Sequence, residues 1–321
     1  MTVIEERTSS AVREPRRGRS AGPGRKPGAR PPKLVRYGHW WWALPAVLAV
    51  LLMVWVATGT GAFFAFTDWS GIGSFNFIGL QNFETIFSTP SLVGALINTV
   101  ILAVGFVVFS NIFGLLFALA LNRGLKTRYV LRVLVFMPVV ISPLAVSYIW
   151  AFIFDYKGPL NQLLGAVGLK GLEQDWLADP HLALVCVLVV MVWQNIGLVT
   201  VIYLAGLAAV PPELEEASAL DGAGVLQRFR HIVVPSIQPS LAIATTLMLI
   251  QGLRVFDQIM ALTGGGPYGA TETLATQVYK QSFVYGKFGF GAALALVLTV
   301  MILIFSIVQQ YITRDRERVG R

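Results

Sequence analysis

Long apolar runs separated by short polar stretches set the pattern of this chain. Six runs reach the roughly 20 residues that a helix needs to cross a bilayer. They are residues 40–66, 95–121, 130–154, 181–209, 237–262 and 289–312. The pattern predicts an all-α, polytopic membrane protein with six transmembrane helices. Trp40, Trp41 and Trp42 open the first run as an interfacial belt. Pro138 and Pro143 fall inside the third and are expected to bend it. Membrane helices tolerate such bends where neighbouring helices or water satisfy the freed carbonyls.

A polar island, residues 211–235, separates the fourth and fifth runs. Pro211 and Pro212 suit a helix start, where a missing N–H costs little. Glu213, Glu215 and Glu216 crowd the first turn, where the helix dipole favours negative charge. Leu214, Ala217 and Leu220 recur at helical spacing and form one narrow apolar face. Gly222 and Gly224 break the helix, and Pro235 closes the segment before the next apolar run. One or two short amphipathic helices at a membrane surface are expected here.

Composition agrees: of 321 residues, 55% are hydrophobic and 13% charged, which excludes an ordinary soluble domain. The net charge of +8 would suit a nucleic-acid binder, but the basic residues sort by membrane side instead. Of 25 lysines and arginines, ten lie in the tail before residue 37. Four lie at 122–132 (Arg123, Lys126, Arg128, Arg132), two in the island (Arg228, Arg230) and four after residue 313. With six spans all of these fall on one side, and only Lys157, Lys170, Lys280 and Lys287 on the other. The positive-inside rule makes the first side, and both termini, cytoplasmic. Residues 1–36, rich in Arg, Gly, Pro and Ser, are expected to be a disordered basic cytoplasmic tail near anionic headgroups. Arg16 and Arg17 are not followed by the apolar segment that a twin-arginine signal needs, and the first span reads as a retained anchor. The expected organisation is this tail, a six-helix membrane domain over 37–313 that contains the polar segment at 211–235, and a cytoplasmic tail over 314–321.

Enzyme signatures are missing. The sequence contains no Walker A pattern, no HExxH zinc pair and no GxSxG elbow. His39, His181 and His231 have no metal-ligand spacing, and Cys186 reads as an inert buried thiol. No catalytic residue and no metal site is expected. A membrane-embedded enzyme would need acids with partners, and Asp68, Asp155, Asp175 and Asp179 have none in sequence. A scaffold protein would not need polar residues at span depth.

Such residues are present: Asn98, Asn111, Ser142, Ser147, Gln194, Asn195, Thr200, Gln251, Arg254 and Asp257. Polar groups in spans face a cavity or a partner helix. Asn195 and Arg254 each lie 15 residues from the near end of successive spans, Val210 and Pro239, a depth of roughly 22 Å. Gln194, Asn195, Thr200, Gln251, Arg254 and Asp257 are therefore the candidate solute pathway. Trp193 and Phe256 offer flat apolar faces to a solute, or to lipid. Asp257, three residues after Arg254, is placed to pair with it on one helix face.

Two sets of residues carry a family resemblance. Glu216-Ala217, Asp221-Gly222-Ala223, Phe229, Ile232 and Pro235 resemble the EAA signature of ATP-binding-cassette importer permeases, with Ser218 where many members carry alanine. Arg254-Val255-Phe256-Asp257, Leu262-Thr263-Gly264-Gly265-Gly266-Pro267, Thr271-Glu272-Thr273-Leu274 and Phe288-Gly289-Phe290-Gly291 are similar to the carbohydrate, maltose-like branch. The aromatic loop over 67–94 resembles that branch as well. The resemblance implies a type I importer half in a bacterial plasma membrane that carries no cofactor of its own. Its partners would be a second, non-identical permease, two cytoplasmic P-loop ATPases holding ATP and magnesium, and an external solute-binding protein, with a carbohydrate as substrate. It implies an ATPase-coupling role for Glu213, Glu216, Ala217, Asp221, Gly222, Ala223 and Phe229. Glycerol phosphate or another small polar solute is the alternative cargo.

Overall fold

A computed structural model describes residues 40–122 and 126–319, with side chains except at positions 40, 212, 215, 219 and 314–319. The basic tail over 1–36, Arg123 and the C-terminal charges expected after residue 313 lie outside this description or contribute backbone only. The described residues fall into two units, divided between Val54 and Trp55. Helix α1 (Trp41–Phe64) starts in the first, and every later element belongs to the second.

In the second unit the helices are α2 (Gln81–Ser88), α3 (Pro90–Asn122), α4 (Arg128–Val140), α5 (Pro143–Phe154), α6 (Pro159–Ala166) and α7 (Pro180–Ala208). There follow α8 (Pro212–Leu220), α9 (Val225–Ser236), α10 (Gln238–Leu253), α11 (Asp257–Leu262), α12 (Leu274–Tyr279) and α13 (Phe288–Val319). Among the described residues there is no strand, only one bridge between Thr67 and Phe77. Prolines open α3, α5, α6, α7 and α8, where the fixed φ suits the first turn. Ser142 and Asp179 cap two of these starts: Ser142 Oγ accepts from Ala145 N–H at 3.2 Å, and Asp179 Oδ1 from His181 N–H at 2.7 Å.

Four helices are long and apolar enough to cross a membrane unaided: α1, α3, α7 and α13. The other two expected spans are broken. The third splits at Ile141 and Ser142, between Pro138 and Pro143, and turns by 101°. The fifth is bent twice. A 68° turn separates α9 from α10, and the helix stops again at Arg254–Phe256. Pro235 sits within α9, so the bend comes two residues after it, at Ile237.

Contacts give the helix directions. Gly105 and Gly114 of α3 lie against Leu188 and Val199 of α7, so the two helices run parallel. The chain must therefore return between them. Arg132 reaches the Leu121 carbonyl at the end of α3, while Asn161 and Trp176, hydrogen bonded at 2.8 Å, lie beside Cys186 near the start of α7. The bent α4–α5 pair makes that return. Gln309 of α13 meets Ala242 and Thr246 of α10, and Gly289 at the start of α13 donates to the Trp69 carbonyl at 2.8 Å. Asn98 near the start of α3 donates to the Ala270 and Glu272 carbonyls, both at 3.0 Å. Residues 126–132, the 211–235 segment and the end of α13 thus share one end of the bundle. The loops at 67–79 and 263–273 share the other.

Two apolar clusters hold the bundle. One centres on Phe106, Val187, Val190, Met191, Tyr203 and Met248, the other on Ile86, Leu249, Leu253, Leu274 and Leu294. Tight α4–α7 packing needs Gly197, where a Cβ would sit 2.3 Å from the Val135 carbonyl oxygen.

Candidate functional site

The polar island forms an exposed angle. Helix α8 ends at Leu220, Asp221 N–H still donates to the Ala217 carbonyl at 3.1 Å, and Gly222 turns the chain at φ +79°. That left-handed value favours glycine. Gln227 Oε1 accepts from Gly224 N–H at 3.0 Å and closes the first turn of α9. Glu213, Glu216, Ala217, Asp221 and Gly222 are exposed, and Ala223 is half-buried. The apolar residues here also point away from the bundle: Leu220 is 90% exposed, Leu226 77% and Val225 74%. Between α8 and α9 lies a recess of about 470 Å³ lined by Asp221, Gly222, Ala223, Gln227, Arg228 and His231. Phe229 differs from the other coupling candidates. It is half-buried against the first cluster, where it anchors the segment.

The second candidate region surrounds the break in the fifth span. Arg254 caps the C-terminus of α10, and Asp257 is the first residue of α11. Both are exposed, and among the described residues the one ion pair joins Lys280 to Glu272. The expected Arg254–Asp257 pair does not form, because the chain leaves the helix between them and the i, i+3 geometry is lost. The rise from Pro239 to Arg254 is kept, because the 68° bend precedes Pro239 and the break begins only at Arg254. Arg254 lines a crevice of about 550 Å³ with Phe256, Tyr279, Phe283 and Thr299. The crevice is largely apolar, with this guanidinium at its edge. From Phe256 a line of touching rings continues through Tyr279, Phe283 and Phe288 to Trp69, at centroid distances of 5.4, 5.7, 5.7 and 5.8 Å.

The remaining pathway candidates divide. Gln251 is exposed. Asn195 is half-buried and donates to the Met191 carbonyl of its own helix at 3.0 Å. Gln194 and Thr200 are buried and committed: Gln194 to the Ile141 carbonyl at 2.9 Å, Thr200 to that of Ile196 at 2.7 Å. Asn111 bonds Tyr203 between α3 and α7, and Ser147 the Pro143 carbonyl within α5. Trp193 meets Trp150 edge to face at 5.5 Å.

Sequence reading missed two networks. Gln258 donates to Gln194 at 3.2 Å across two spans. Glu272, 7% exposed, takes Lys280 on one oxygen and the Thr276 hydroxyl on the other, while Lys280 also donates to the Gly264 carbonyl at 2.9 Å. This braces the glycine-rich 263–273 turn. The signal was the spacing of Glu272 and Lys280 on either side of a threonine-rich stretch. At the same end, the backbone N–H and then the side-chain amide of Asn76 hold the Asp68 carboxyl below the usual carboxylate range. Among the described residues no cluster of His, Cys, Asp or Glu could hold a metal.

Comparison with known proteins fits these features. Residues 110–318 match the family described as the binding-protein-dependent transport system inner membrane component. The multiple sugar-binding transport system permease protein MsmF of Streptococcus mutans is 33% identical over 282 residues, covering 87% of this chain and 97% of that protein. The probable starch degradation products transport system permease protein AmyD of Thermoanaerobacterium thermosulfurigenes is 32% identical, covering 90% of this chain and 99% of that protein. Among solved structures, a bacterial ABC transporter involved in the import of the acidic polysaccharide alginate superposes with a TM-score of 0.76 at 23% identity, over 85% of this chain and 94% of that one. The helical fold is thus shared with that transporter chain, and this chain belongs to the binding-protein-dependent transport system inner membrane component family.

Proposed function

We propose that this chain is one permease half of an ATP-driven sugar importer. The observation that carries the reading is the exposed α8–α9 angle. A short acidic helix, a glycine turn and outward-facing Leu220, Val225 and Leu226 stand at the end of the bundle that carries the basic residues at 126–132. Exposed leucines beside carboxylates suit docking to another protein, since an apolar patch rimmed by charge marks an interface. A cytoplasmic P-loop ATPase, holding ATP and magnesium, is the partner for that face. The basic residues around it support a cytoplasmic position for both termini.

The cargo reading rests on the relatives' named sugar transport and on the crevice. Tyr279, Phe256 and Phe283 supply flat faces for pyranose rings, and Arg254 supplies hydrogen bonds for hydroxyls leaving water. A second, non-identical permease would close the exposed side of the crevice, and an external solute-binding protein would deliver the sugar at the end where the 67–79 and 263–273 loops lie. Alternating access then follows as a two-state motion, biased by nucleotide at one end and by the loaded binding protein at the other.

Affinity purification of the tagged chain from its native membrane tests this reading. A P-loop ATPase without spans of its own should co-purify together with a second permease. Recovery of the chain alone, or with an ATPase that carries its own spans, would sink the proposal.

A further inference from the structure

Both bent spans leave backbone groups without helical partners, and one buried amide ties the two breaks together. In an unbroken helix the Ile141 carbonyl would accept from the N–H of Ala145, but the Ser142 hydroxyl has taken that donor. Gln194 of α7 answers instead, donating Nε2 to Ile141 O at 2.9 Å. This orients the amide, so its Oε1 faces the other way and accepts from Gln258 Nε2 at 3.2 Å. Gln258 lies in the first turn of α11, just past the second break. Gln194 is 3% exposed and Gln258 9%. Around this point α5 packs on α11, while α4 and α10 each pack on α7. The far halves of the two bent spans therefore contact each other, and the near halves lean on unbroken helices, α4 on α7 and α10 on α3 and α7.

We propose that Gln194 and Gln258 are positioning residues for the exchange of access, acting as the pin about which α5 and α11 turn as one body against α7. The proposal rests on the importer reading above. A freed carbonyl in a water-poor interior needs a donor in every state the protein visits. A glutamine side chain can keep both hydrogen bonds while the helices rotate, which a short hydroxyl on a rigid helix does less well. Contrast the Val255 carbonyl, which takes the hydroxyl of Thr273 at 3.3 Å and is held from one side only. Because one amide bonds the Ile141 carbonyl at one break and the Gln258 side chain just past the other, motion of one bent span displaces a hydrogen-bond partner of the other.

The test uses the complete transporter in liposomes with a reporter cysteine. Phe283 lines the crevice and is exposed, and Cys186 is the chain's one native cysteine, so Phe283→Cys in a Cys186→Ala background reports alone. Its labelling rate by a membrane-impermeant maleimide is measured without nucleotide and after trapping with ATP and vanadate. The ratio of the two rates should fall at least threefold toward one in Gln194→Leu and in Gln258→Leu, with ATP hydrolysis retained. A merely structural role would lower assembly or shift both rates together and leave the ratio alone. Should Gln194→Leu fail to assemble, Gln258→Leu decides, since it leaves the Ile141 carbonyl bonded. An unchanged ratio in Gln258→Leu, with a responsive parent, overturns the pin alone. A parent reporter indifferent to nucleotide overturns the pin together with the importer reading.

Discussion

Arg254 carries its charge at the rim of an apolar crevice without a carboxylate partner among the described residues. A guanidinium in that position is costly unless something polar reaches it. A hydrogen bond to a charged group contributes about 1.5–3 kcal/mol. Arg254→Ala should therefore lower uptake by roughly tenfold or more at unchanged expression, and uptake at the parental level would remove Arg254 from the pathway. Polar residues within spans were legible as a class, because hydropathy exposes them. Their individual jobs were not. Gln194 and Arg254 have similar sequence surroundings, yet one is buried on a broken neighbour and the other opens to a crevice. Only the path of the backbone around Ile141 and Arg254 separates those outcomes.

Helices whose ends carry proline, serine or aspartate were readable to within a few residues: α7 was expected at 181–209 and runs Pro180–Ala208. The break after Pro138 was readable too, since proline removes a donor and crowds the preceding turn. The break at Arg254–Phe256 has no proline, and its freed Val255 carbonyl is satisfied from Thr273, 18 residues away. No local signal could announce it. Close helix approach is likewise a property of pairs of elements. Gly197 faces the Val135 carbonyl and the Phe136 Cα, backbone that cannot step aside cheaply. Gly197→Ala should destabilise the solubilised protein by about 1–3 kcal/mol, read as a lowered unfolding temperature. Unchanged stability would mean that α4 and α7 separate freely.

For the whole molecule, charge along the chain and contacts between helices report the same arrangement by independent routes. The basic residues at 126–132 and the 211–235 segment share one end of the bundle, as the sorting of charge along the chain expects. If that end grips an ATPase, reversing a charge on α8 should weaken the grip. Glu216→Lys is expected to raise the ATP hydrolysed per solute moved, with an affinity loss of about tenfold, or ~1.4 kcal/mol. Equal coupling in purified complexes would count against Glu216. The amino-acid sequence by itself determined that this is an all-α membrane protein, which runs are apolar enough to span, and where its polar angle lies, because hydropathy, proline and charge act locally and leave their mark in order along the chain. Tertiary structure alone decided that Arg254 stands apart from Asp257, that Phe229 anchors rather than projects, and that Gln194 joins two breaks. Those outcomes depend on which backbone groups lose their helical partners, and on which distant side chain is close enough to replace them.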